Sequence, residues 1–479
     1  MMRMKRLVLS LLLIWAGTAM AQTPAGRNIQ ITLKPLKNCK VYLGSYYGKT
    51  RVLADSCMLN ANSQGVFKGK TKLTGGIYFV VSPDYVIQFE LLMDKTQQFS
   101  IVADTAQKDK AIIIGSPDND LFRKYSQFST NKGMQLQALE QQLQQSRTAT
   151  DSSKLQSLIT AVSNELQVYR KNIMQQQPKS MLSMLFKVMQ TPTAPPIPIV
   201  NGKPDSIYPY RFVKEHFWDD VVFNDDRLLR TPFFEPKLDD YLKYYVSPDP
   251  DSVIQEVQYL LLSARGTKEL YPYLLTKFTN KYMNPEYMGQ DKVFVYLFEQ
   301  HYLKGDTTYL NAASRKTIFE RGYSMIANQL GQPAPVLDLT DSTGKPHALY
   351  DIKAPFTFVS FWDPHCGHCK ETIPRVDSIF RARWKGLGVA QYAVNVDEKI
   401  IDDWKKFIQE NKLEGWTHVY QTKAAKQLEE KAGLPNFRQL YDVKVTPTFY
   451  LLDKDKRIIA KQLTIEQFDE LITERLKKK

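Results

Sequence analysis

Hydrophobic and polar positions follow three successive patterns along the chain. Between residue 28 and about 115 they alternate in short runs. These are Ile29-Gln30-Ile31-Thr32-Leu33, the stretch around Val41-Tyr42-Leu43, Gly65-Val66-Phe67-Lys68-Gly69, Gly75-Gly76-Ile77-Tyr78-Phe79-Val80-Val81 and Phe89-Glu90-Leu91-Leu92, with Ile112-Ile113-Ile114-Gly115 closing the set. A period of two sends successive side chains to opposite faces of a strand, and the Gly, Asn and Asp residues between the runs favour turns. Many short strands with no helical run among them predict a β-sandwich-like domain over 22–117.

From about 118 the period becomes helical. Leu136, Leu139 and Leu143 recur at i, i+3 and i+7 inside a Gln-rich stretch, and Leu155, Leu158, Ile159, Val162 and Leu166 continue the pattern. The glutamines read as a solvated helix face. Helices also fit 252–264, 267–282, 291–303 and 307–329, which makes 118–330 an α-helical domain. A proline-rich stretch from Pro192 to Pro209, containing Ala194-Pro195-Pro196-Ile197-Pro198, cannot continue a helix and predicts a loop or extended connector. No repeat of fixed period is present.

After Gly331-Gln332-Pro333 the pattern changes again. Phe356-Thr357-Phe358-Val359-Ser360-Phe361-Trp362 is a continuous apolar run of the kind found in strands covered on both faces. A helix follows from Cys366, a second buried strand spans Val389 to Val396, and a second helix spans 400–411. A third strand, Thr448-Phe449-Tyr450-Leu451-Leu452, pairs across the Asp453-Lys454-Asp455 turn with Arg457 to Leu463, and 465–477 is a closing helix. Strands alternating with helices predict a three-layer α/β domain over 331–479. A length of 479 residues agrees with three domains at about 150 residues each.

Composition narrows the class. With 43% hydrophobic and 24% charged residues the chain is an ordinary globular protein, and four cysteines (Cys39, Cys57, Cys366 and Cys369) are too few for a disulfide scaffold. The N-terminus reads as an export signal. Arg3, Lys5 and Arg6 precede and flank a short apolar run from Leu7 to Gly17, and Ala19-Met20-Ala21 supplies the small residues at a cleavage site. The run is too short to span a bilayer, and Gln22 stands where a lipoprotein needs a cysteine. A signal peptide over 1–21 and a soluble periplasmic product are expected. The formal charge of +14 falls to +11 when those three cations leave. Such an excess attracts acidic partners or anionic surfaces, but no nucleic-acid motif accompanies it, so no nucleic-acid partner is expected and the charge reads as solubilising.

The segment that carries chemistry is Trp362-Asp363-Pro364-His365-Cys366-Gly367-His368-Cys369-Lys370. A cysteine at the first turn of a helix faces unpaired N–H groups and the positive end of the helix dipole, both of which stabilise a thiolate. A second cysteine three residues on lies about one turn away and can close a disulfide with the first. Strand, short loop, C-x-x-C and helix together therefore point to redox chemistry, with the thiolate as nucleophile. His368, between the cysteines, would favour the Cys366 thiolate when protonated, and Lys370 adds positive potential. His365 is read equally as a substrate contact or a solvated side chain. A structural zinc site needs two more ligands, and haem attachment needs a histidine where Lys370 stands, so no metal or cofactor is expected beyond the redox-active Cys366–Cys369 disulfide.

Residues 331–479 resemble the TlpA/ResA-like envelope thiol–disulfide oxidoreductases of the thioredoxin fold. The shared marks are Phe361-Trp362, Cys366-x-x-Cys369, Pro374 and Val445-Thr446-Pro447-Thr448-Phe449. The resemblance implies that Cys366 attacks and Cys369 resolves, that Pro447 is cis and packs beside the disulfide, and that Thr446 and Pro447 line the substrate groove. It also implies cysteine-containing envelope proteins as substrates and a membrane electron donor as partner. The chain departs from the family at His365, where tryptophan is common. Ser360 and Thr372 stand where relatives place carboxylates, which leaves the exposed-type acid Glu371 as the nearest substitute. The Gly-His dipeptide is similar to that of protein disulfide isomerase. The front two thirds resemble, more loosely, modules of unknown function that precede such domains in Bacteroidetes-type envelope proteins.

The expected activity is thus an exported thiol–disulfide oxidoreductase, acting as a reductase. The alternative is a partner- or glycan-binding envelope protein with an accessory thioredoxin-like domain. A peroxidase would place Thr or Ser three residues before the reactive cysteine, where this chain has Asp363, and a proline further upstream, where it has Val359. Cys39 and Cys57 lie symmetrically about Gly48. A disulfide across a hairpin, two free buried thiols and a second redox pair are all compatible with that spacing.

Overall fold

The computed structural model describes residues 26–107 and 110–477; the expected signal peptide, 1–21, lies outside the described residues. The chain divides into two compact units, Met1–Tyr241 and Leu242–Lys479, so the helical stretch is shared between them. No helix among the described residues is long and apolar enough to cross a membrane.

The first unit begins with eight strands: β1 (Arg27–Lys34), β2 (Lys40–Tyr47), β3 (Thr50–Met58), β4 (Gln64–Gly69), β5 (Gly76–Val81), β6 (Ile87–Met93), β7 (Gln98–Asp104) and β8 (Ile112–Ile114). They form two four-stranded sheets, ordered β4-β1-β7-β8 and β3-β2-β5-β6. Alternation does the sorting. In β1, Ile29, Ile31 and Leu33 are buried while Gln30 and Lys34 are exposed. The inward residues meet Val41, Leu43, Val80 and Leu91 in one core, which makes this the expected sandwich.

Helices α1 (Pro117–Gln145), α2 (Ala149–Gln176) and α3 (Met181–Met189) follow. The buried Asn119 of α1 closes the free edge of β6. Its Oδ1 accepts from the Leu92 N–H and its Nδ2 donates to the Leu92 carbonyl, both at 2.8 Å. The proline-rich segment is extended as far as a short hairpin, β9 (Ile199–Val200) with β10 (Lys203–Pro204). Helix α4 (Tyr208–His216) then begins inside the stretch expected to be a connector, because Pro209 sits in its first turn, where no N–H donor is needed. Helix α5 (Phe234–Tyr244) follows, its last residues falling past the division at Tyr241.

Cys39 and Cys57 are free thiols. The β2–β3 turn pairs Tyr47 with Thr50, and a register shift between Leu43 and Gly44 adds one residue to β3. Cys57 therefore faces Val41, while the Cys39 carbonyl accepts from the Leu59 N–H at 2.9 Å. Burial pushes the Cys57 thiol up to about 12.

In the second unit, α6 (Pro250–Ser263), α7 (Leu270–Met283), α8 (Asp291–Leu297) with a following π-helical turn Phe298–Tyr302, and α9 (Ala312–Ala327) fall within a few residues of the expected helices. The remainder is a seven-stranded mixed sheet, ordered β12-β11-β15-β14-β13-β16-β17. Its strands are β11 (Asp338–Thr340), β12 (Pro346–Ala348), β13 (Phe356–Trp362), β14 (Val389–Asn395), β15 (Thr417–Tyr420), β16 (Thr448–Asp453) and β17 (Ile458–Lys461). Its helices are α10 (Gly367–Ile379), α11 (Ile401–Glu410), α12 (Lys423–Ala432), α13 (Phe437–Leu440) and α14 (Ile465–Lys477). β11, β12, β15, α12 and α13 were not among the expected elements.

All seven residues of β13 are buried. Phe358 and Trp362 join one core with Cys369, Trp404 and Phe468, while Val359 and Phe361 join the other with Tyr392, Phe437 and Tyr441. A strand covered on both faces needs an apolar residue at nearly every position, hence the unbroken run in the sequence. Helix α8 is fastened to the edge strand β17 by a buried ion pair. Lys461 Nζ donates to Asp291 Oδ2 (2.6 Å), to the Asn328 carbonyl (2.7 Å) and to Asn328 Oδ1 (2.6 Å).

Candidate active site

The active-site loop is built from its own backbone. β13 ends at Trp362, and Asp363 then organises the turn. Its Oδ1 accepts the His365 N–H at 2.7 Å and its carbonyl accepts the Cys366 N–H at 3.1 Å. These two bonds set Cys366 as the residue that caps α10, with extended backbone (φ −73°, ψ 124°) and no side-chain capping bond. Its sulfur thus stands at the end of a helix whose first N–H groups have no intrahelical partner.

The two sulfurs are in different surroundings. Cys366 is partly exposed and its Sγ lies 3.2 Å from the Thr446 carbonyl oxygen. Hydrogen bonding from the Thr446 side chain, then from the backbone N–H groups of Cys369 and His368 and from the Cys369 thiol, holds its pKa below the ordinary thiol value. Cys369 is fully buried, and desolvation pushes its thiol up to about 12. One sulfur is prepared to ionise and the other to stay protonated until it is called on.

The segment opposite is Val445 to Thr448. The Thr446–Pro447 peptide is cis, as the resemblance implies. Thr448 Oγ1 donates to the Val445 carbonyl at 2.6 Å, and the Val445 side chain is 71% exposed, so an apolar lip flanks the thiol. The structure brings Cys366, Cys369 and Thr446 together and sets Pro447 beside Thr446. His368 contributes through its backbone N–H. Its imidazole is exposed and has no hydrogen-bond partner among the described residues.

His365 has a partner that the sequence reading missed. Its Nε2 lies 2.8 Å from Asp403 Oδ2, in the first turn of α11. Both side chains are more than half exposed, so the contact orients the imidazole without adding much stability. The only hint in the sequence was an acid at a helix start, which is commonplace.

Among the described residues neither Ser360 nor Glu371 supplies a carboxylate behind Cys369. Ser360 is fully buried in β13, and its hydroxyl has no hydrogen-bond partner among the described residues. Glu371 is exposed on α10. What does point at the Cys369 sulfur is the Asp363 backbone N–H. Among the described residues no group of three His, Cys, Asp or Glu side chains is placed to hold a metal ion.

Comparison with known proteins agrees with this geometry. A family model described as the AhpC/TSA family matches residues 330–461, and two domains of unknown function, DUF4369 and DUF5106, match 28–122 and 137–315. The thiol-disulfide oxidoreductase ResA of Bacillus thuringiensis subsp. konkukian is 30% identical over 150 residues, which is 31% of this chain and 78% of that protein. A solved domain of a possible thiol-disulfide isomerase from Cytophaga hutchinsonii is 37% identical, covering 31% of this chain and 94% of that one, with a TM-score of 0.27. A thioredoxin-like protein from Bacteroides caccae is 23% identical, covering 59% of this chain and 98% of that one, with a TM-score of 0.44. The cysteine pair thus lies at the start of a helix in a domain of the thioredoxin fold, and through that C-terminal region the chain belongs to the ResA family of thiol–disulfide oxidoreductases.

Proposed function

We propose that the protein is exported to the periplasm and there reduces disulfides of cysteine-containing envelope proteins through Cys366 and Cys369. The observation that carries this reading is the asymmetry of the two sulfurs. Cys366 is partly open with a lowered pKa, and Cys369 is buried with its pKa pushed up to about 12. In the first step the Cys366 thiolate attacks one sulfur of the substrate disulfide. A mixed disulfide forms, and the other substrate sulfur leaves and takes up a proton. In the second step Cys369 gives up its proton and attacks Cys366. The mixed disulfide breaks, the Cys366–Cys369 disulfide forms, and the substrate departs as a dithiol carrying two electrons. A membrane electron donor then restores the dithiol. Thr446 and Pro447 line the groove in which the substrate backbone lies, with His365 at its rim. His368, when protonated, adds to the stabilisation of the thiolate.

The test is to express Cys369→Ser in the periplasm. The variant completes the first step and stalls before the second, so mixed disulfides through Cys366 should accumulate and disappear on treatment with reductant. A Cys366→Ser control should trap nothing. Absence of trapped partners from Cys369→Ser would refute the reading and would favour a binding role for residues 22–330.

A further inference from the structure

Neighbouring strands of the C-terminal sheet send the chain to opposite sides at one point on their carboxyl edge. β14 and β15 lie parallel and adjacent. β14 leads into α11, whose Trp404 lies in the core on one face, and β15 leads through α12 to α13, whose Phe437 lies in the core on the other. Exits that part in this way leave a crevice between the strand ends, and in open α/β sheets such crevices are where ligands bind. Here the crevice has a volume of about 290 Å³ and is lined by Asp397, Glu398 and Lys399 after β14, by Gln421 and Lys426 after β15, and by Arg438 of α13.

Its charges do not cancel. Glu398 is matched by Lys426 at 2.9 Å. Asp397 Oδ1 accepts the Lys399 N–H at 2.9 Å, and Gln421 donates to Glu429 at 2.7 Å. Among the described residues the Lys399 ammonium has no hydrogen-bond partner. The Arg438 guanidinium makes one long contact, 3.4 Å to the Val396 carbonyl. Two cations therefore keep unused donors toward the crevice while one carboxylate, Asp397, opposes them, and the net charge favours an anion.

The crevice is fastened to the loop that carries the nucleophile. The Val396 N–H donates to the Trp362 carbonyl at 3.1 Å, and Asp403, a few residues further on, holds His365 at 2.8 Å. The wall formed by 396–403 is thus tied to residues on either side of Asp363. Resting on the reading of a polypeptide substrate above, the geometry points to a specificity subsite. Arg438 and Lys399 receive a carboxylate side chain of the polypeptide whose cysteine is engaged at Cys366, so disulfides with a nearby Asp or Glu react fastest.

The test uses the full-length reduced protein and synthetic peptides closed by an internal disulfide, identical except for one residue near the cysteine: Glu, Gln or Lys. The Glu peptide should exceed the Gln peptide in kcat/KM by about three- to tenfold at low ionic strength, the size expected of two exposed charge contacts. The advantage should fall toward unity in about 0.5 M salt. The double variant Arg438→Gln/Lys399→Gln should bring the Glu peptide down to the Gln peptide. Lys431→Gln, which removes a charge on α12 outside the crevice, should keep the ratio. Equal rates in the native protein, or a preference that survives in the double variant, would overturn the subsite and leave the exchange chemistry standing. Failure of all three peptides to exchange would overturn the polypeptide-substrate reading and the subsite with it.

Discussion

Alkylation of the fully reduced protein at pH 7 should label Cys366 and spare Cys369. Only the thiolate reacts, so the first quantity is the ionised fraction. A thiol at about 12, as burial sets Cys369, is ionised to about one part in 10⁵ at pH 7. An ordinary thiol at 9.0 is ionised to about one part in 100, and Cys366 lies below that value. The fractions differ by at least about a thousandfold. A more basic thiolate is also a better nucleophile, and over three units that returns about twentyfold. About fiftyfold remains before access is counted, and access widens the gap, because Cys369 is 0% exposed whereas Cys366 is open in part. The assay is a time course with iodoacetamide from pH 5 to 9. Both sulfurs fall on the tryptic peptide 354–370, so fragmentation must assign the label. Comparable labelling of the two, or a Cys366 rate whose midpoint lies at or above pH 9, would refute the argument that the helix end and Thr446 lower the pKa of that sulfur.

Two further outcomes follow from groups away from the thiols. Asp291→Asn leaves the Lys461 ammonium buried with only neutral acceptors and should cost about 3–5 kcal/mol; Lys461→Met strands the carboxylate and should cost a similar amount, while the double variant recovers most of the loss. Guanidinium unfolding followed by tryptophan emission measures it, since four of the six tryptophans lie between 362 and 416, and a double variant as unstable as the summed singles would refute the pairing. His418 is held near 4 by burial between Trp404 and Trp416, below its ordinary value of 6.5, so between these values the unfolded chain binds more protons. Stability should therefore be full above pH 6.5 and fall by about 1–3 kcal/mol as pH drops toward 4, a decline that His418→Gln should flatten; an unchanged slope in the variant would assign the acid loss elsewhere.

The parts of this molecule that could be read from its sequence are those in which one local pattern carries one physical demand. β13 must be apolar at almost every position because helices cover both its faces, and the run Phe356 to Trp362 says so. The pair Cys366 and Cys369 announces itself by spacing, since a helix start and one turn are all it needs. The strands of the C-terminal sheet that escaped notice are three or four residues long. β15 is only Thr417-His418-Val419-Tyr420, and it is a strand because β14 is already beside it. Register escaped for a related reason. The cysteines at 39 and 57 are symmetric about Gly48, but the turn centres between Gly48 and Lys49 and the shift at Leu43/Gly44 displaces the pairing again, so each faces an apolar neighbour instead of the other. A bulge answers to how two strands twist against a core, which no run of residues in either strand reveals.

The same logic separates the reactive sulfur from what surrounds it. Cys366 owes its helix-end position to residues within four places of it, so the sequence sufficed. Its remaining stabilisation comes from Thr446, 80 residues on, and its neighbour His365 is oriented by Asp403, 38 residues on. The crevice that would sort substrates draws on strand ends and a helix start from 397 to 438, brought together only because β14 and β15 exit to opposite faces. The cysteine chemistry is therefore local and was legible, whereas the selectivity proposed above would be a property of topology. A substitution that leaves the cysteine pair intact but alters how those two strands are followed should change which disulfides are attacked more than how fast a small, unselective one is.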